Sequence, residues 1–255
     1  MLSNFLSRTI HRTRLPDYRL QAGTDAAVAP PDALAQSGIR PESLPRHVAV
    51  VPDGNRRWAQ ARGLLTPDGH EVGRRALEHT MEVDYLMGMI ERTIRENVDE
   101  YERRENGIRV HVIGDPSRWP ESLQKTAREA EEKTRNNSKL HLMLATCYSG
   151  RWELVQACRA LAHKVQGNLL RPEDIDESML AGELQTSAAA GEFSCPDLVI
   201  RTSGEQRLSN FLLWQSAYSE LYFTDTLWPD FGEAEYLQAL SSFQSRERRF
   251  GQRTA

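Results

Sequence analysis

The chain has 255 residues, 39% of them hydrophobic and 27% charged, the balance of a globular polypeptide filling one large domain or two small ones. A formal net charge of -4 excludes the overall basic field of a nucleic-acid binder, although a local basic cluster can still hold an anionic ligand. The three cysteines show no CxxC spacing and suggest no zinc site or disulfide framework, and no apolar run is long enough to span a bilayer.

The first stretch, MLSNFLSRTIHRTRLP, has no acidic residue before Asp17 and carries Arg8, Arg12 and Arg14 among serines and threonines. Leu2, Phe5, Leu6 and Ile10 share one helical face. This composition resembles an organellar transit segment, for plastid or mitochondrion. The alternatives are a basic tail or a membrane-surface helix, in a protein of the cytoplasm or peripheral at the endoplasmic reticulum. Gln21 to Pro45, rich in Ala, Pro, Gly and Asp, reads as a linker. Residues 1–45 are therefore expected to precede a single domain over 46–255.

From Arg46 the pattern alternates. His47–Val51 reads as a buried strand, and Arg57–Arg62 as a short helix stopped by Gly63. Glu82–Arg103 is a long amphipathic helix with Val83, Met87, Ile90, Ile94 and Val98 on one stripe. Ile108–Ile113 is a strand, Pro120–Arg135 a charged helix, and Leu140–Tyr148 another strand. Trp152–Val165 is a helix expected to face inward with Leu154, Val155, Cys158, Leu161 and Val165. Two of the three cysteines sit in apolar contexts and read as buried, inert thiols. Leu198–Arg201 is a strand, Ser209–Tyr218 a helix, Leu221–Thr224 extended and Glu233–Phe250 a helix. The expected class is α/β, a central, mostly parallel sheet flanked by helices. Ligands in such sheets sit beyond the carboxyl ends of the strands. Between Val51 and Ile108 no strand is evident, although a βαβ unit takes only about 30 residues.

The chemistry concentrates at two strand-end turns. In HVAVVPDGNRRWAQARG, an apolar strand runs through Pro52 into Asp53-Gly54-Asn55 and then a helix. Helix N-termini carry unpaired N–H groups and partial positive charge, so such a junction cradles anions. Gly54 lets the backbone approach closely, and Arg56 and Arg57 add forked donors suited to phosphate. Asp53 would repel an anion unless a divalent cation bridges them, as Mg2+ does between one carboxylate and diphosphate oxygens. His70 is placed to donate a further bond. The alternative is that Asp53 caps the helix, the arginines are solvated and Trp58 packs. The second turn, DLVIRTSGEQRLSNFLLW, repeats the logic with Arg201, Arg207 and Ser209, the last also a helix cap. Glu220 is a second carboxylate for the metal. Tyr148-Ser149-Gly150-Arg151 lines the same face or is a plain turn. His111 and His141 lie inside strands and read as satisfied histidines rather than ligands. P-loop, dinucleotide and nucleophile-elbow motifs are absent, as is an Asp-Asp pair.

Together, HVAVVPDGNRRWA, the YSGRW turn, DLVIRTSGEQRLSNFLLWQSAYSELYF, LWPDF and RERRFG resemble the cis-prenyltransferase family, which includes undecaprenyl and dehydrodolichyl diphosphate synthases. The likeness runs from about Arg46 to Gly251. It implies an undecaprenyl diphosphate synthase-like sheet and Mg2+-dependent condensation of isopentenyl diphosphate with an allylic diphosphate into a cis-prenyl product. By that likeness Asp53 holds the metal and, with Asn55, serves catalysis. Gly54, Asn55, Arg57, Trp58 and His70 form the allylic diphosphate site, and Arg201, Arg207 and Ser209 hold isopentenyl diphosphate. Glu220 completes the metal site from the dimer interface, and Arg249 acts near the partner's site. The resemblance further implies a homodimer or a heteromer with a related subunit; the net charge points to no nucleic-acid partner, and the N-terminal segment allows peripheral membrane association.

Pro52, Arg56 and Thr66 stand where the family usually has Met, often Gly, and often Arg. The larger departure follows Met81, where His79-Thr80-Met81 runs directly into Glu82-Val83-Asp84. The family pattern has roughly two dozen further residues here, a central strand and a loop that serves substrate orientation and proton removal. One central strand is thus expected to be missing, leaving its neighbours without hydrogen-bond partners. This motivates a second reading, a catalytically impaired isoform or non-catalytic subunit that pairs with a full-length enzyme. A phosphate-ester hydrolase ranks last, for want of a nucleophile or base.

Overall fold

The computed structural model describes residues 5–10, 38–75, 83–103 and 107–247. Its strands are β1 (Phe5–Ile10), β2 (His47–Val51), β3 (Ile108–Ile113), β4 (Leu140–Ala145), β5 (Leu198–Arg201) and β6 (Glu220–Phe223). Its α-helices are α1 (Asn55–Ala61), α2 (Thr66–Arg75), α3 (Val83–Glu102), α4 (Glu121–Thr134), α5 (Gly150–Gln166), α6 (Glu177–Gly182), α7 (Gln185–Ala190) and α8 (Glu233–Gln244). The sheet runs β3-β4-β1-β2-β5-β6. β3 pairs parallel with β4, β2 with β5, and β5 with β6, whereas β1 is antiparallel to both its neighbours.

Alternation along the strands divides the core into two layers. Val48 and Val50 of β2 pack with Leu198 and Ile200 of β5 under Ala239, Leu240 and Phe243 of α8. Ala49, Val51 and Val199 point the other way, with Ile113, Ala145, Tyr148, Phe211 and Leu212. Leu6 lies opposite both Val50 and Leu144, so those two share a face. Leu144 packs with Ile90, Ile94 and Val98 of α3 and Leu123, Ala127 and Ala130 of α4. The α3 stripe, where its side chains are described, is therefore core. Helices on both faces explain why these strands read as continuous apolar runs.

Four expectations are corrected. Phe5–Ile10 is a strand, not part of a helical face, and it occupies the position between β2 and β4 where hydrogen-bond partners were expected to be lacking. No strand lies between β2 and β3 among the described residues, as anticipated. On α5 the buried residues are Gly150, Glu153, Ala157 and Leu161, while Val155 and Cys158 are exposed. The reason is Glu153, whose hydrogen bonds from Tyr148 and Gln215 draw a carboxylate inward and turn the helix. Only Cys147 is buried, and Cys158 and Cys195 are exposed. Finally, residues 209–218 form turns rather than a helix, because Ser209, Asn210 and Leu212 have φ of 50°, 67° and 42°, left-handed values that no α-helix accommodates.

Three buried histidines make stability depend on pH. Burial lowers His47 and His70 from 6.5 to about 4. Burial, then the neighbouring His141 and Arg109 charges, lower His111 to about 4 as well. His111 and His141 stack at 5.4 Å with Nε2 and Nδ1 3.2 Å apart, so the pair shares one hydrogen bond while neutral. The unfolded chain binds these protons near pH 6.5 and the folded chain only near pH 4. Stability therefore falls as pH drops through that window, by about 2 kcal/mol per histidine at pH 5. Urea midpoints should fall between pH 7.5 and pH 5, and His111→Gln should flatten the slope; identical midpoints would contradict this.

Candidate active site

The carboxyl ends of β2 and β5 lie in register, Val51 opposite Arg201. The next residues are locked together. The Asp53 N–H donates to Thr202 Oγ1 at 2.8 Å, and the Asp53 carbonyl accepts from Thr202 Oγ1 at 2.8 Å and from the Trp228 N–H at 3.0 Å. The Asp53 turn is thus held by main-chain bonds that do not use its carboxylate. Gly54 follows at φ 104°, and a Cβ there would lie 2.8 Å from Leu227 Cδ2 and 2.9 Å from Ser203 Cβ. Conformation and space both demand glycine.

Free of the turn's own bonding, the Asp53 carboxylate accepts from Arg201 Nη2 at 3.0 Å and lies 3.6 Å from Arg57 Nη2. Arg57 also donates to the Ser203 carbonyl at 3.0 Å and to Ser203 Oγ at 2.5 Å. Arg201 is 5% exposed and donates to Ser209 Oγ at 2.5 Å and to the Arg207 carbonyl. Its buried Nε finds no acceptor among the described residues. Ser209 thus receives Arg201 instead of capping a helix. Glu205 bridges the two turns, 3.7 Å from Arg57 and ion-paired with Arg207. Three guanidiniums and two carboxylates therefore form one cluster at the sheet's carboxyl edge. An incoming diphosphate would take over arginine contacts that Asp53 and Glu205 now hold.

Other expected residues lie around this cluster. Asn55 is buried at the start of α1. Trp58 is buried and donates to Asp230 Oδ1 at 2.7 Å, with the Arg62 guanidinium 4.1 Å above its ring. It staples α1 to the LWPDF segment. His70 lies buried within α2. The preceding Gly69 lets α2 approach α1 closely, since a Cβ there would lie 2.4 Å from the Asn55 carbonyl oxygen. Glu220 does not join Asp53 within the chain. It opens β6 opposite Leu198, three residues (about 10 Å) from the edge where Phe223 meets Arg201, and it binds Arg246 at 2.7 Å. Arg249 lies outside the described residues. Among the described residues no three His, Cys, Asp or Glu side chains gather as a metal-holding group.

The residues not anticipated are those that hold the second turn. The YSGRW turn does adjoin this site. Asn210 donates from Nδ2 to Ser149 Oγ at 2.7 Å, accepts at Oδ1 from the Arg151 N–H at 3.0 Å, and accepts at its carbonyl from the Gly150 N–H at 2.8 Å. Below it, Gln215 donates to Glu153 at 2.9 Å and to Thr186 at 3.1 Å. Burial and the Glu153 charge push the Tyr148 phenol above the ordinary tyrosine range, so it stays protonated and donates to Glu153. The adjacency of Asn210 to Ser209 was the one signal available. Asn210→Ala should lower the unfolding temperature and weaken binding at Arg207 and Ser209, at a cost of about 1–3 kcal/mol for the lost bonds. Asn210→Gly, which keeps the left-handed backbone, should recover only part of that, as thermal melts with substrate kinetics would show.

The prenyltransferase family model described as "Putative undecaprenyl diphosphate synthase" matches residues 78–251. Cis-prenyltransferase 4, chloroplastic, of Solanum lycopersicum is 42% identical over 278 positions, covering 97% of this chain and 89% of the relative. That span exceeds the 255 residues present, so the relative carries residues that this chain lacks. Dehydrodolichyl diphosphate synthase 3 of Arabidopsis thaliana is 45% identical, covering 84% of this chain and 78% of its own length. The crystal structure of lavandulyl diphosphate synthase from Lavandula x intermedia, in complex with dimethylallyl diphosphate, superposes with a TM-score of 0.76 at 40% identity, over 83% of this chain and all of that one (100%). With these strand-end turns, the family match and relatives above 40% identity, the chain belongs to the cis-prenyltransferase family.

Proposed function

We propose that residues 46–255, with Phe5–Ile10 completing their sheet, form a prenyltransferase that condenses isopentenyl diphosphate with an allylic diphosphate and sets a cis double bond. The observation that carries this is the Arg57–Asp53–Arg201–Ser209 constellation, bridged through Glu205 to Arg207, at the carboxyl ends of β2 and β5. Arg57 and the backbone of Gly54 and Asn55 would orient the allylic diphosphate, with Trp58 fixing the helix that presents them. His70 is neutral above about pH 4 and so would contribute a hydrogen bond rather than a charge. Arg201, Arg207 and Ser209 would hold the second diphosphate.

The donor set suits magnesium, which takes one or two carboxylates and fills its remaining positions with water and phosphate oxygens. Asp53 is the ligand within the chain. Glu220, at the other end of β6, fits a contribution from a second subunit, and Arg249 is assigned to the same boundary. When bound, Mg2+ would neutralise the charge of the departing diphosphate. The arginines add to that neutralisation, and loss of a proton closes the condensation.

A homodimer or a heteromer with a related subunit is supported by exposed large apolar side chains, among them Val155 on α5 (48% exposed) and Tyr218 just before β6 (74%). A plastid location is supported by the chloroplastic relatives and by the basic, acid-free first residues. Among the described residues no helix is long and apolar enough to cross a membrane.

Among the described residues the connection between β2 and β3 supplies helices and no strand, which favours one alternative, a subunit that is inactive alone and supports a full-length partner. Labelled isopentenyl diphosphate, supplied with farnesyl or geranyl diphosphate and Mg2+, should be incorporated into a polyprenyl product. A folded sample that forms none alone, yet co-purifies with a full-length relative, would establish the alternative instead.

A further inference from the structure

We infer that the sheet contains a strand-accepting slot between β2 and β4, that residues 5–10 of this same chain are its occupant, and that proteolytic removal of the N-terminal segment would open the sheet. The inference does not depend on the catalytic reading.

The topology carries it. Five strands, β3, β4, β2, β5 and β6, share one direction, as strands joined by helical crossovers do. β1 alone runs the other way, and it lies inside the sheet rather than at an edge. A reversed strand in the interior of a parallel set is one supplied from outside the crossover series. The register agrees with a fitted occupant. All six residues of β1 face β4, from Phe5 opposite Ala145 to Ile10 opposite Leu140. Four of them also face β2, from Leu6 opposite Val50 to Thr9 opposite His47.

The slot exists because the connection from β2 to β3 supplies only α1, α2 and α3 among the described residues. β2 has its other edge paired with β5, and β4 has its other edge paired with β3. With β1 in place, the flanking side chains of β2 and β4 other than Leu144 are buried, Ala49 and Met143 at 0% exposure. An empty slot would therefore leave two rows of N–H and C=O groups unpaired within the body of the protein. The occupying segment is also the stretch that reads as a targeting signal. Paired along both edges, the segment must leave the sheet to be bound in extended form elsewhere, so translocation and completion of the sheet compete for the same six residues.

Register-specific crosslinking tests this directly. In a Cys158→Ser, Cys195→Ser background, Ser7→Cys is combined with Ala49→Cys, the residue opposite it. Mild oxidation should give a disulfide within one chain. A disulfide between chains would overturn the assignment of this chain as donor, and no disulfide would overturn the slot. Hydrogen exchange supplies the second measurement. Arg8→Pro should raise exchange at least ten-fold at 48–50 and 141–144 but not at the β5–β6 ladder, whereas Arg12→Pro should leave both unchanged. A synthetic peptide of residues 3–12, added to a chain lacking residues 1–12, should restore the slow amides. Equal protection in the parent, the truncated chain and Arg8→Pro would sink the proposal, as would a peptide that restores nothing.

Discussion

Asp53→Asn is expected to cut prenyl transfer by about 10²–10³-fold while leaving the unfolding midpoint near that of the parent chain. The separation follows from how the turn is held. The Asp53 main chain bonds to Thr202 and Trp228 through its N–H and carbonyl, and neither bond involves the carboxylate. Asparagine keeps a side-chain oxygen for Arg201 Nη2, now 3.0 Å away, so the buried guanidinium retains an acceptor. What disappears is the negative charge that a divalent cation requires. Alanine is the poorer probe, because it would strand a nearly buried Arg201 without its counter-charge, and breaking such a pair costs about 3–5 kcal/mol. Thermal melts beside kcat at saturating Mg2+ decide the matter. An asparagine variant that keeps more than a tenth of parental turnover would show that the carboxylate is not the metal ligand.

Arg207→Ala is expected to raise the KM for isopentenyl diphosphate by about 10–100-fold, the loss of one or two charge-assisted bonds, and to move the allylic KM little. The Arg207 side chain is 60% exposed and pairs with Glu205, while the Arg207 carbonyl that receives Arg201 survives the substitution. The second turn should thus keep its shape. Arg57→Ala should show the opposite selectivity, since Arg57 rises from the first turn. Initial rates with both substrates varied give the two constants separately, and equal changes in both would contradict the division into two diphosphate seats.

Much of this site was legible because its parts are local. Pro52 and Gly54 punctuate the end of β2, and Arg201 sits where β5 runs into a turn, so the strand ends and their charges could be placed from chemistry alone. The failures fall where distant residues overrule local preference. Ser209–Tyr218 carries helix-forming residues, yet Ser149, Gly150 and Arg151 bind Asn210 and hold the backbone in left-handed turns. The apolar residues of α5 suggested one inward face, but Glu153, bonded to Tyr148 and Gln215, selects another. Glu205 drew no notice in the sequence, because its value lies in bridging arginines from two separate turns.

The amino-acid order alone determined the alternating architecture, the pair of basic strand-end turns and the family, because apolar runs, turn residues and charge are properties of short windows. The tertiary structure alone decided which charges neutralise one another, that Glu220 stands apart from Asp53, and that Phe5–Ile10 becomes a sheet strand. Those outcomes depend on hydrogen-bond partners far away in the chain: an unpaired strand edge takes whichever segment can reach it, and a carboxylate pairs with the guanidinium that folding brings near.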